Sequence, residues 1–391
     1  MAMHILISSL SRFTRPTGIC RHAASLARCL AGRPEVERVT LVVGAWQETY
    51  FHATFELASP KIQVLAVSLP NTSLARNRWF AFGLPELARR LKPSLIHLGF
   101  PVPIFRQGFP APVVATVHDL YPFDDPASLR PFPGWCKRIF FRRCMAACDA
   151  VVCVSQSTRG NLLERFPALA ARVPVHVVHN YADLVPLADP PEDDPRPFLL
   201  AVAQHQPNKR LDVLLRAFAR LRAENPAFLP YRLLIVGSPG SQSEALRQLA
   251  ETLHLTPRVH WMPPVSDHRL AWLYRHCSVF IANSSMEGFC LPLLEALSLN
   301  CRVVASDLPV FYEIAGAVPT YFSLTPDPLA NLCAAIDRAM RREVSSAQPP
   351  LTRFSRTTAA AGYLNLYAQV LRGYGAEPVT EASPAPSRTD G

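Results

Sequence analysis

The chain lacks several patterns that would reveal its chemistry directly. Its ten cysteines include no Cys-x-x-Cys pair, and most lie in apolar runs, where a thiol behaves as a small hydrophobic side chain. This argues against a disulfide framework or a zinc cage and favours a reducing compartment. No apolar run approaches the ~18–20 residues of a membrane span. Residues 1–10 lack a basic start and predict a first strand, not a signal peptide. We therefore expect a soluble, cytoplasmic protein.

Two further absences exclude classes of enzyme. A dinucleotide oxidoreductase would have Gly-x-Gly-x-x-Gly after the first strand and an acid ~20 residues later, and neither is present. No Asp-x-Asp occurs that could hold a divalent metal against a diphosphate. His176 and His179 fall on opposite faces of one predicted strand and cannot share a metal ion. We expect neither a metal nor a cofactor.

Positive charge and apolar residues are what the sequence has in quantity. Lys and Arg number 40 against 30 Asp and Glu, and the net charge is +10. Such a surplus suits nucleic acid, an anionic membrane or phosphorylated ligands. The charge is spread along the chain without any zinc finger, RNP signature or base-reading basic helix, so we predict no nucleic-acid partner. The apolar share of 49% predicts a globular chain, and 391 residues suit two domains.

Short β-like runs alternate with helical stretches along the whole chain, which predicts α/β domains with mostly parallel sheets. The predicted strands are Met3–Ser8, Val39–Val43, Val64–Ser68, Leu95–Leu98, Val113–Val117, Ala150–Val154, Val175–Val178, Phe198–Ala203, Arg232–Val236, Val259–Met262, Val279–Ala282 and Arg302–Ala305. Acids and prolines crowd into Asp189–Pro195 and predict a linker. Two doubly wound, Rossmann-like domains would then face a central cleft at the carboxyl ends of their strands.

These patterns give five predicted segments. Residues 1–180 form an N-terminal domain, 181–197 a linker, and 198–352 a C-terminal domain. A helix over 353–372 crosses back to the N-terminal domain, and 373–391 is a Pro- and Ala-containing tail that we expect to be disordered.

Val279–Leu297 is the most informative segment. A buried strand enters a loop, and a helix then opens with Pro292 in its first turn. The helix dipole and free N–H groups predict an anion site at Gly288, Phe289, Cys290 and Leu291. The carboxylates of Glu287 and Glu295 would border the cleft and suit the hydroxyls of a sugar or ribose. Alternatively, both acids are surface charges near a helix start, where acids are favoured anyway.

Glu287 and Glu295 stand as Glu-x7-Glu, followed by Arg302-Val-Val-Ala-Ser-Asp307 and Glu313-Ile-Ala-Gly316. This segment closely resembles the retaining family-4 glycosyltransferases, and the resemblance extends from Met3 to about Ala315. It implies the GT-B fold and retention of the anomeric configuration. It also implies that the N-terminal domain, 1–180, lies on the acceptor side and that the C-terminal domain, 198–352, binds the nucleotide-sugar donor. In that family the first Glu is associated with the transferred sugar and the second with the ribose of the donor. The matching positions assign these roles to Glu287 and Glu295.

Ala203–Asp212 lies between a predicted strand and a helix. A lysine at the carboxyl end of a parallel strand can neutralise a diphosphate leaving group, which makes Lys209 the predicted phosphate ligand. The family usually has Gly-Arg where this chain has Ala203 and Gln204, so one phosphate-binding cation is missing. His205 and Arg210 are the candidates to replace it. Alternatively, Lys209 is a solvated residue at a helix start.

Two segments of the N-terminal half complete the predicted site. Gly18 follows the first strand, where a glycine lets backbone approach a phosphate, although ordinary turns also need glycine. In the family a loop at this place contacts the donor diphosphate or the acceptor. His118-Asp-Leu-Tyr-Pro122 resembles the His-Asp-Leu-x-Pro segment of bacterial polysaccharide mannosyl- and rhamnosyltransferases. A neutral imidazole at His118 can hydrogen-bond a sugar hydroxyl, the alternative being a structural histidine.

Two other segments have structural interpretations. Ser155 or Ser157 is predicted to cap the helix that follows. In Leu129–Arg143, cations alternate with Phe132, Trp135, Phe140 and Phe141. That segment would either rest on anionic lipid of the inner membrane or pack its aromatics on the sheet, and packing is favoured.

The sequence thus predicts a metal-independent, retaining hexosyltransferase. Its donor is a nucleotide sugar, with GDP-mannose favoured by the likeness at His118, and its acceptor a saccharide or lipid-linked saccharide in polysaccharide biosynthesis. The catalytic pair is His118 and Glu287. An inactive nucleotide-sugar-binding protein of the same fold is the alternative, favoured by Ala203 and Gln204. A sugar phosphorylase would need pyridoxal phosphate, and no feature supports it.

Overall fold

Two parallel β-sheets form the framework of the computed structural model, which describes residues 2–120, 123, 134–183, 197–342 and 351–375. The first sheet contains β1 (Met3–Ser8), β2 (Val36–Gly44), β3 (Ile62–Val67), β4 (Leu95–Leu98), β5 (Val113–Val117), β6 (Ala150–Cys153) and β7 (Val175–Val177). Their order is β3-β2-β1-β4-β5-β6-β7, and every pair is parallel. The helices of this N-terminal lobe are α1 (Gly18–Ala31), α2 (Ala45–Thr54), α3 (Ser73–Arg78), α4 (Leu84–Leu91), α5 (Gly134–Ala146), α6 (Gln156–Arg165) and α7 (Pro167–Ala170).

The second sheet contains β8 (Phe198–Val202), β9 (Arg232–Val236), β10 (Val259–Met262), β11 (Val279–Ala282), β12 (Val303–Ser306) and β13 (Thr320–Phe322). The strand order is β10-β9-β8-β11-β12-β13, again all parallel. The helices of this C-terminal lobe are α8 (Leu211–Glu224), α9 (Ser243–Thr252), α10 (Asp267–His276), α11 (Leu291–Ser298), α12 (Pro309–Ala315) and α13 (Pro328–Arg341). A final helix, α14 (Arg356–Gly375), follows it.

Each sheet is covered by helices on both faces, as its central strands require. Ile5 and Ile7 of β1 pack into the cluster that contains α1 and α14, whereas Leu6 between them packs into the cluster of α4 and α5. All three side chains are completely buried. Central parallel strands lose both faces to the interior, which explains their continuous runs of Val, Ile and Leu. The prediction of doubly wound α/β lobes is confirmed.

The final helix belongs to the core of the N-terminal lobe. It packs on α1, and the Tyr367 hydroxyl lies 2.7 Å from Nδ1 of His97 on β4. Arg356 at its start forms an ion pair with Asp183. The chain therefore leaves the C-terminal lobe after α13 and returns to complete the first lobe.

Several predictions fall outside the described residues. These are the acidic linker segment Asp189–Pro195, the end of the His118 segment at Tyr121 and Pro122, the residues Arg130 and Phe132, and residues 376–391 of the tail. The domain boundaries proposed from the sequence therefore stay a prediction. Among the described helices, none combines the length and the apolar content that a membrane span requires.

Candidate functional site between the lobes

The predicted phosphate ligand and the first predicted carboxylate form one ion pair. Lys209 ends the short 3-10 turn after β8, and Glu287 lies in the loop between β11 and α11. Nζ of Lys209 is 2.5 Å from Oε1 of Glu287. Asn208 joins the two loops, since its carbonyl accepts from Ser285 N–H at 2.8 Å and its side-chain amide donates to the Met286 carbonyl at 3.2 Å. The position of the lysine therefore depends on the loop that carries the carboxylate.

This ion pair is largely shielded from water. Oε1 of Glu287 also accepts a hydrogen bond from the Ser284 hydroxyl at 2.7 Å. Burial, the largest single effect, would lower the pKa of Lys209. The charge and hydrogen bond of Glu287, together with the nearby Cys290 and Asp119, outweigh it and raise the pKa above its usual value. Lys209 is therefore a fixed cation at neutral pH. A bound anion would find it already oriented.

The start of α11 has the geometry of an anion site. Cys290, the N-cap residue, adopts a left-handed backbone with φ of 74°, and its side chain does not cap the helix. Leu291 and Pro292 form the first positions of the helix, where proline loses no hydrogen bond. Burial raises the pKa of the Cys290 thiol, so this residue stays neutral beside Lys209. The helix dipole at this end favours negative charge next to Lys209.

Phe289 and Gly288 anchor the same loop. Phe289 is buried, and its ring packs 5.8 Å from that of Phe354. The Gly288 carbonyl accepts hydrogen bonds from the N-terminal lobe, from the Ser155 hydroxyl at 2.6 Å and the Thr158 hydroxyl at 3.1 Å. The loop that holds Glu287 is therefore bound to both lobes.

Gly288 also meets His118 across the gap between the lobes. A Cβ at this position would lie 1.6 Å from the His118 carbonyl oxygen, so only glycine permits this contact. Asp119, the next residue, is close enough to contribute to the raised pKa of Lys209. The structure thus brings His118, Glu287 and Lys209 to one place, although they are far apart in the sequence.

His118 is a neutral imidazole in this environment. Its Nε2–H donates to the Gly99 carbonyl at 2.8 Å, which leaves Nδ1 as the hydrogen-bond acceptor. Burial lowers the pKa of His118 to about 4. The ring of His22 packs edge-on against it with centroids 4.6 Å apart, and burial lowers the pKa of His22 as well. His118 can accept a hydrogen bond from a hydroxyl group but is not protonated at neutral pH.

Glu295 is more enclosed than the sequence suggested. Only 5% of it is exposed, and its Oε2 accepts a hydrogen bond from the buried Tyr274 hydroxyl at 3.0 Å. Burial raises the pKa of Glu295, while the nearby Arg21 and the Tyr274 hydrogen bond act in the opposite direction. Glu295 therefore lies between Tyr274 of α10 and Arg21 of the N-terminal lobe.

The loop before α1 completes the site from the N-terminal lobe. Gly18 is the first residue of α1, the Thr17 side chain does not cap the helix, and no atom lies within 4 Å of a Cβ placed on Gly18. Arg21, one turn along, crosses to the C-terminal lobe. Its Nη2 and Nη1 lie 2.8 and 3.3 Å from the two carboxylate oxygens of Asp267. Gly18 therefore has open space beside it, and Arg21 bridges the lobes.

The sequence did not reveal Arg21, Asp267 and Tyr274 as residues of the site. No local motif marks contacts between segments that are distant in the chain.

Neither candidate replacement for the missing cation is well placed. His205 is buried against the Ser243 hydroxyl at 2.9 Å, and burial lowers its pKa. Arg210 pairs with Asp212 on its own helix at 3.9 Å.

The two structural predictions can also be compared with the coordinates. Ser155 is the N-cap of α6 and accepts a hydrogen bond from the Thr158 N–H, which confirms the predicted cap. On α5, Phe141 packs against Phe166, whereas Phe140 is 50% exposed. Packing thus holds for one of these aromatics and not for the other. Within the described ranges, no cluster of three or more His, Cys, Asp or Glu side chains could hold a metal ion.

Comparison with known proteins agrees with this architecture. Residues 16–185 match the family described as "Glycosyltransferase Family 4", and residues 187–350 match "Glycosyl transferases group 1". The chain resembles Anabaena HepE, whose structure was solved in complex with UDP-glucose, with a TM-score of 0.62 and 19% identity over 94% of this chain and 95% of that one. Two Rossmann-like lobes with this strand order and an interlobe site define the GT-B fold. The chain belongs to the family-4 glycosyltransferases.

Two curated relatives show the kinds of protein it is similar to. It is 31% identical to the serotype-specific mannosyltransferase WbdA of Escherichia coli over 231 residues, which is 53% of this chain and 27% of WbdA. It is 24% identical to the O-antigen chain mannosyltransferase RfbU of Salmonella typhimurium over 255 residues, 64% of this chain and 66% of RfbU. The matched region therefore spans about a quarter of WbdA and about two thirds of RfbU.

Proposed function

We propose that the protein transfers a hexosyl group from a nucleotide sugar to a saccharide or lipid-linked acceptor in the synthesis of a bacterial surface polysaccharide. The observation that carries this proposal is the Lys209–Glu287 ion pair at the start of α11, directly opposite His118. A fixed cation beside a helix N-terminus suits a departing diphosphate, and preorganised charge of this kind lowers a transition-state barrier. The carboxylate of Glu287 suits the hydroxyls of the transferred sugar.

The donor proposed is GDP-mannose. Two mannosyltransferases among the similar proteins and the His118-Asp-Leu segment support a mannosyl group. Neutral His118, with Nδ1 free to accept, suits a sugar hydroxyl near the reacting carbon. Glu295 would bind the ribose, for which it must share its carboxylate between Tyr274 and the ligand. Transfer would proceed without a metal ion, since Lys209 and helix termini meet the leaving charge. Retention of the anomeric configuration is proposed from the family resemblance.

A direct assay tests the activity. The protein is incubated with GDP-mannose and with UDP-glucose, and release of the nucleoside diphosphate is followed with and without acceptor saccharides. Glu287→Gln should lower turnover by at least about 100-fold, the effect of losing one preorganised polar contact in a transition state. Glu244→Gln, at an exposed acid on α9, is the matched control and should retain activity. NMR of the product gives its anomeric configuration, and inversion would contradict the retaining mechanism.

Binding without turnover is a separate outcome. It would favour the inactive nucleotide-sugar-binding protein, for which Ala203 and Gln204 are the supporting feature. Failure to bind either nucleotide sugar would refute both forms of the proposal. Thermal shifts with GDP and UDP distinguish these cases and rank the two bases, because a ligand that binds only the folded state raises the melting temperature.

A lipid-linked acceptor is the more specific part of the proposal. On α5, Ile139 and Phe140 are 42% and 50% exposed and lie beside the exposed cations Arg138, Arg142 and Arg143. Apolar side chains flanked by arginine suit the interface of an anionic bilayer. Flotation with phosphatidylglycerol vesicles should capture the protein, and Phe140→Ser should weaken capture. Equal recovery with phosphatidylcholine vesicles would contradict an electrostatic contact.

A further inference from the structure

Without Arg21, the charged side chains around Lys209 are too acidic for a diphosphate. Lys209 contributes one positive charge, and it is already paired with Glu287. Glu295 lies one turn inside the helix that would receive the phosphate, and Asp119 is close enough to influence Lys209. An anion with two or more negative charges would meet net repulsion here unless another cation takes part.

Arg21 is a cation that reaches this region from the other lobe. It lies on the first turn of α1, and its charge acts on Glu295. Its guanidinium forms a fork with both oxygens of Asp267, and 28% of the Arg21 side chain is exposed. A planar fork that binds a carboxylate through two nitrogens has the geometry that also suits a phosphate group.

The neighbours of Arg21 also favour an anion. Gly18, three residues earlier, begins α1 without a side-chain cap and has no neighbouring atom within 4 Å of a Cβ. The partner carboxylate of Asp267 is 39% exposed, so its pairing with Arg21 is accessible to competing anions. A partly exposed ion pair of this kind exchanges partners more readily than a fully buried one, which would leave an uncompensated charge.

We propose that Arg21 is the second diphosphate ligand of the site, supplied by the N-terminal lobe in place of the cation missing at Gln204. This assignment rests on the proposed function. The donor diphosphate would then lie between Lys209 of one lobe and Arg21 of the other. Binding of the donor itself would draw the lobes together, because each lobe contributes one of its two cations. Asp267 holds the guanidinium in position until the donor arrives.

The test compares Arg21→Ala, Arg21→Lys and Asp267→Asn by calorimetric titration with GDP, UDP, GMP and UMP. Arg21→Ala should raise the Kd of the better-bound diphosphate by about 10- to 100-fold, the range expected for lost charge-assisted hydrogen bonds. The matching monophosphate should lose less affinity. Arg21→Lys keeps the charge without the fork and should fall between wild type and Arg21→Ala. Asp267→Asn should tighten diphosphate binding, because it removes the competing carboxylate.

The outcomes separate this inference from the function on which it rests. If wild type binds GDP or UDP and Arg21→Ala binds it equally well or more tightly, the assignment of Arg21 is wrong while the donor site stands. If Arg21→Ala and Asp267→Asn weaken binding equally, Arg21 acts only as half of an interlobe ion pair, which also overturns the assignment. If wild type binds neither nucleotide, the proposed function and the role of Arg21 both fail. Melting temperatures within a few degrees of wild type establish that the variants are folded.

Discussion

One buried histidine, His97, makes the stability of the N-terminal lobe depend on pH. His97 is completely buried, with Nδ1 next to the Tyr367 hydroxyl at 2.7 Å and Nε2 next to the Thr116 hydroxyl at 2.8 Å. Burial lowers its pKa to about 3. The folded state therefore favours the neutral ring, whereas the unfolded chain takes up a proton near pH 6.5. This contribution to stability is present above pH 6.5 and is lost as the pH falls towards 3.

Replacing His97 should reduce the acid sensitivity of the fold. Between pH 7 and pH 5 the His97 share of the unfolding free energy should fall by about 2 kcal/mol, from 1.36 kcal/mol per pH unit below 6.5. His97→Gln keeps polar atoms in the strand but cannot titrate. Its unfolding free energy should therefore decrease by about 2 kcal/mol less than that of wild type between pH 7 and pH 5. Urea unfolding at both pH values measures this difference. His52→Gln, at an exposed position of α2, is the control. If the unfolding free energies of His97→Gln and wild type depend on pH equally, the lowered pKa of His97 does not contribute to the acid sensitivity.

Two glycines of the site should respond differently to a methyl group. At Gly288 a Cβ would lie 1.6 Å from the His118 carbonyl oxygen, so Gly288→Ala must separate the lobes. We expect turnover to fall by at least about 100-fold, since a displacement of about 1 Å has this effect on a positioned site. Small-angle scattering should show a larger radius of gyration. Gly18→Ala meets nothing and should fold like wild type.

The Gly18→Ala variant also tests whether the donor phosphate lies beside Gly18. If a donor phosphate occupies the open space beside Gly18, Gly18→Ala should raise the KM for the donor while the melting temperature is unchanged. An unchanged KM would remove Gly18 from the donor site. An unchanged scattering profile in Gly288→Ala would show that the contact with His118 does not set the distance between the lobes.

At the scale of elements, the start of α6 is stabilised from both lobes. Its own N-cap Ser155 binds Thr158, and the Glu313 carboxylate of α12 accepts from the backbone N–H groups of Gln156 at 2.7 Å and Ser157 at 3.0 Å. His179 donates to the same carboxylate at 2.7 Å. Burial alone would raise the pKa of Glu313, but these donors lower it below its usual value. The contact therefore weakens only as the pH falls below the usual range of a carboxylate.

Glu313→Gln should loosen the two lobes without unfolding either of them. A lost cap costs about 0.5–2 kcal/mol, and the amide can replace only part of the carboxylate contacts. Differential scanning calorimetry should show a lower melting temperature, and hydrogen exchange at the first turn of α6 should become faster. Glu224→Gln, which removes an exposed pair with Arg220 on α8, is the matched control. Unchanged exchange at α6 in Glu313→Gln would contradict a stabilising contact between the lobes.

The length and burial of a segment decided whether the sequence could predict it. β1, β4, β5 and β9 to β11 were predicted with their observed bounds, because short apolar runs between turn signals are typical of buried parallel strands. β13, the three residues Thr320–Phe322, was missed, since so short a strand carries no periodicity. The start of α11 followed from Pro292. The replacement cation was sought next to Gln204, but Arg21 and Asp267 are 246 positions apart, and only the tertiary fold brings them together.

For the whole molecule, the stability of the N-terminal lobe depends on α14, which follows the C-terminal lobe in the sequence. Ala360, Tyr363 and Tyr367 of α14 are buried in the same cluster as Ile5 of β1 and Leu30 of α1. The sequence that builds this core is therefore split between the two ends of the chain. The C-terminal lobe has its own two clusters, to which these α14 residues do not belong. A defect in α14 should accordingly unfold the first lobe before the second.

Three tyrosine variants of α14 test this order of unfolding. Tyr367→Ala leaves a large cavity and should destabilise the N-terminal lobe by about 3–5 kcal/mol, whereas Tyr367→Phe removes only the hydrogen bond to His97 and should cost about 1 kcal/mol. Tyr374→Ala, at a residue 44% exposed, is the control and should change little. Hydrogen exchange locates the effect, because amides of β1 and β4 should lose protection in Tyr367→Ala while those of β8 and β9 keep theirs. Equal loss in both sheets would instead mean that the lobes unfold as one cooperative unit, and α14 would then support the interface as much as the first core.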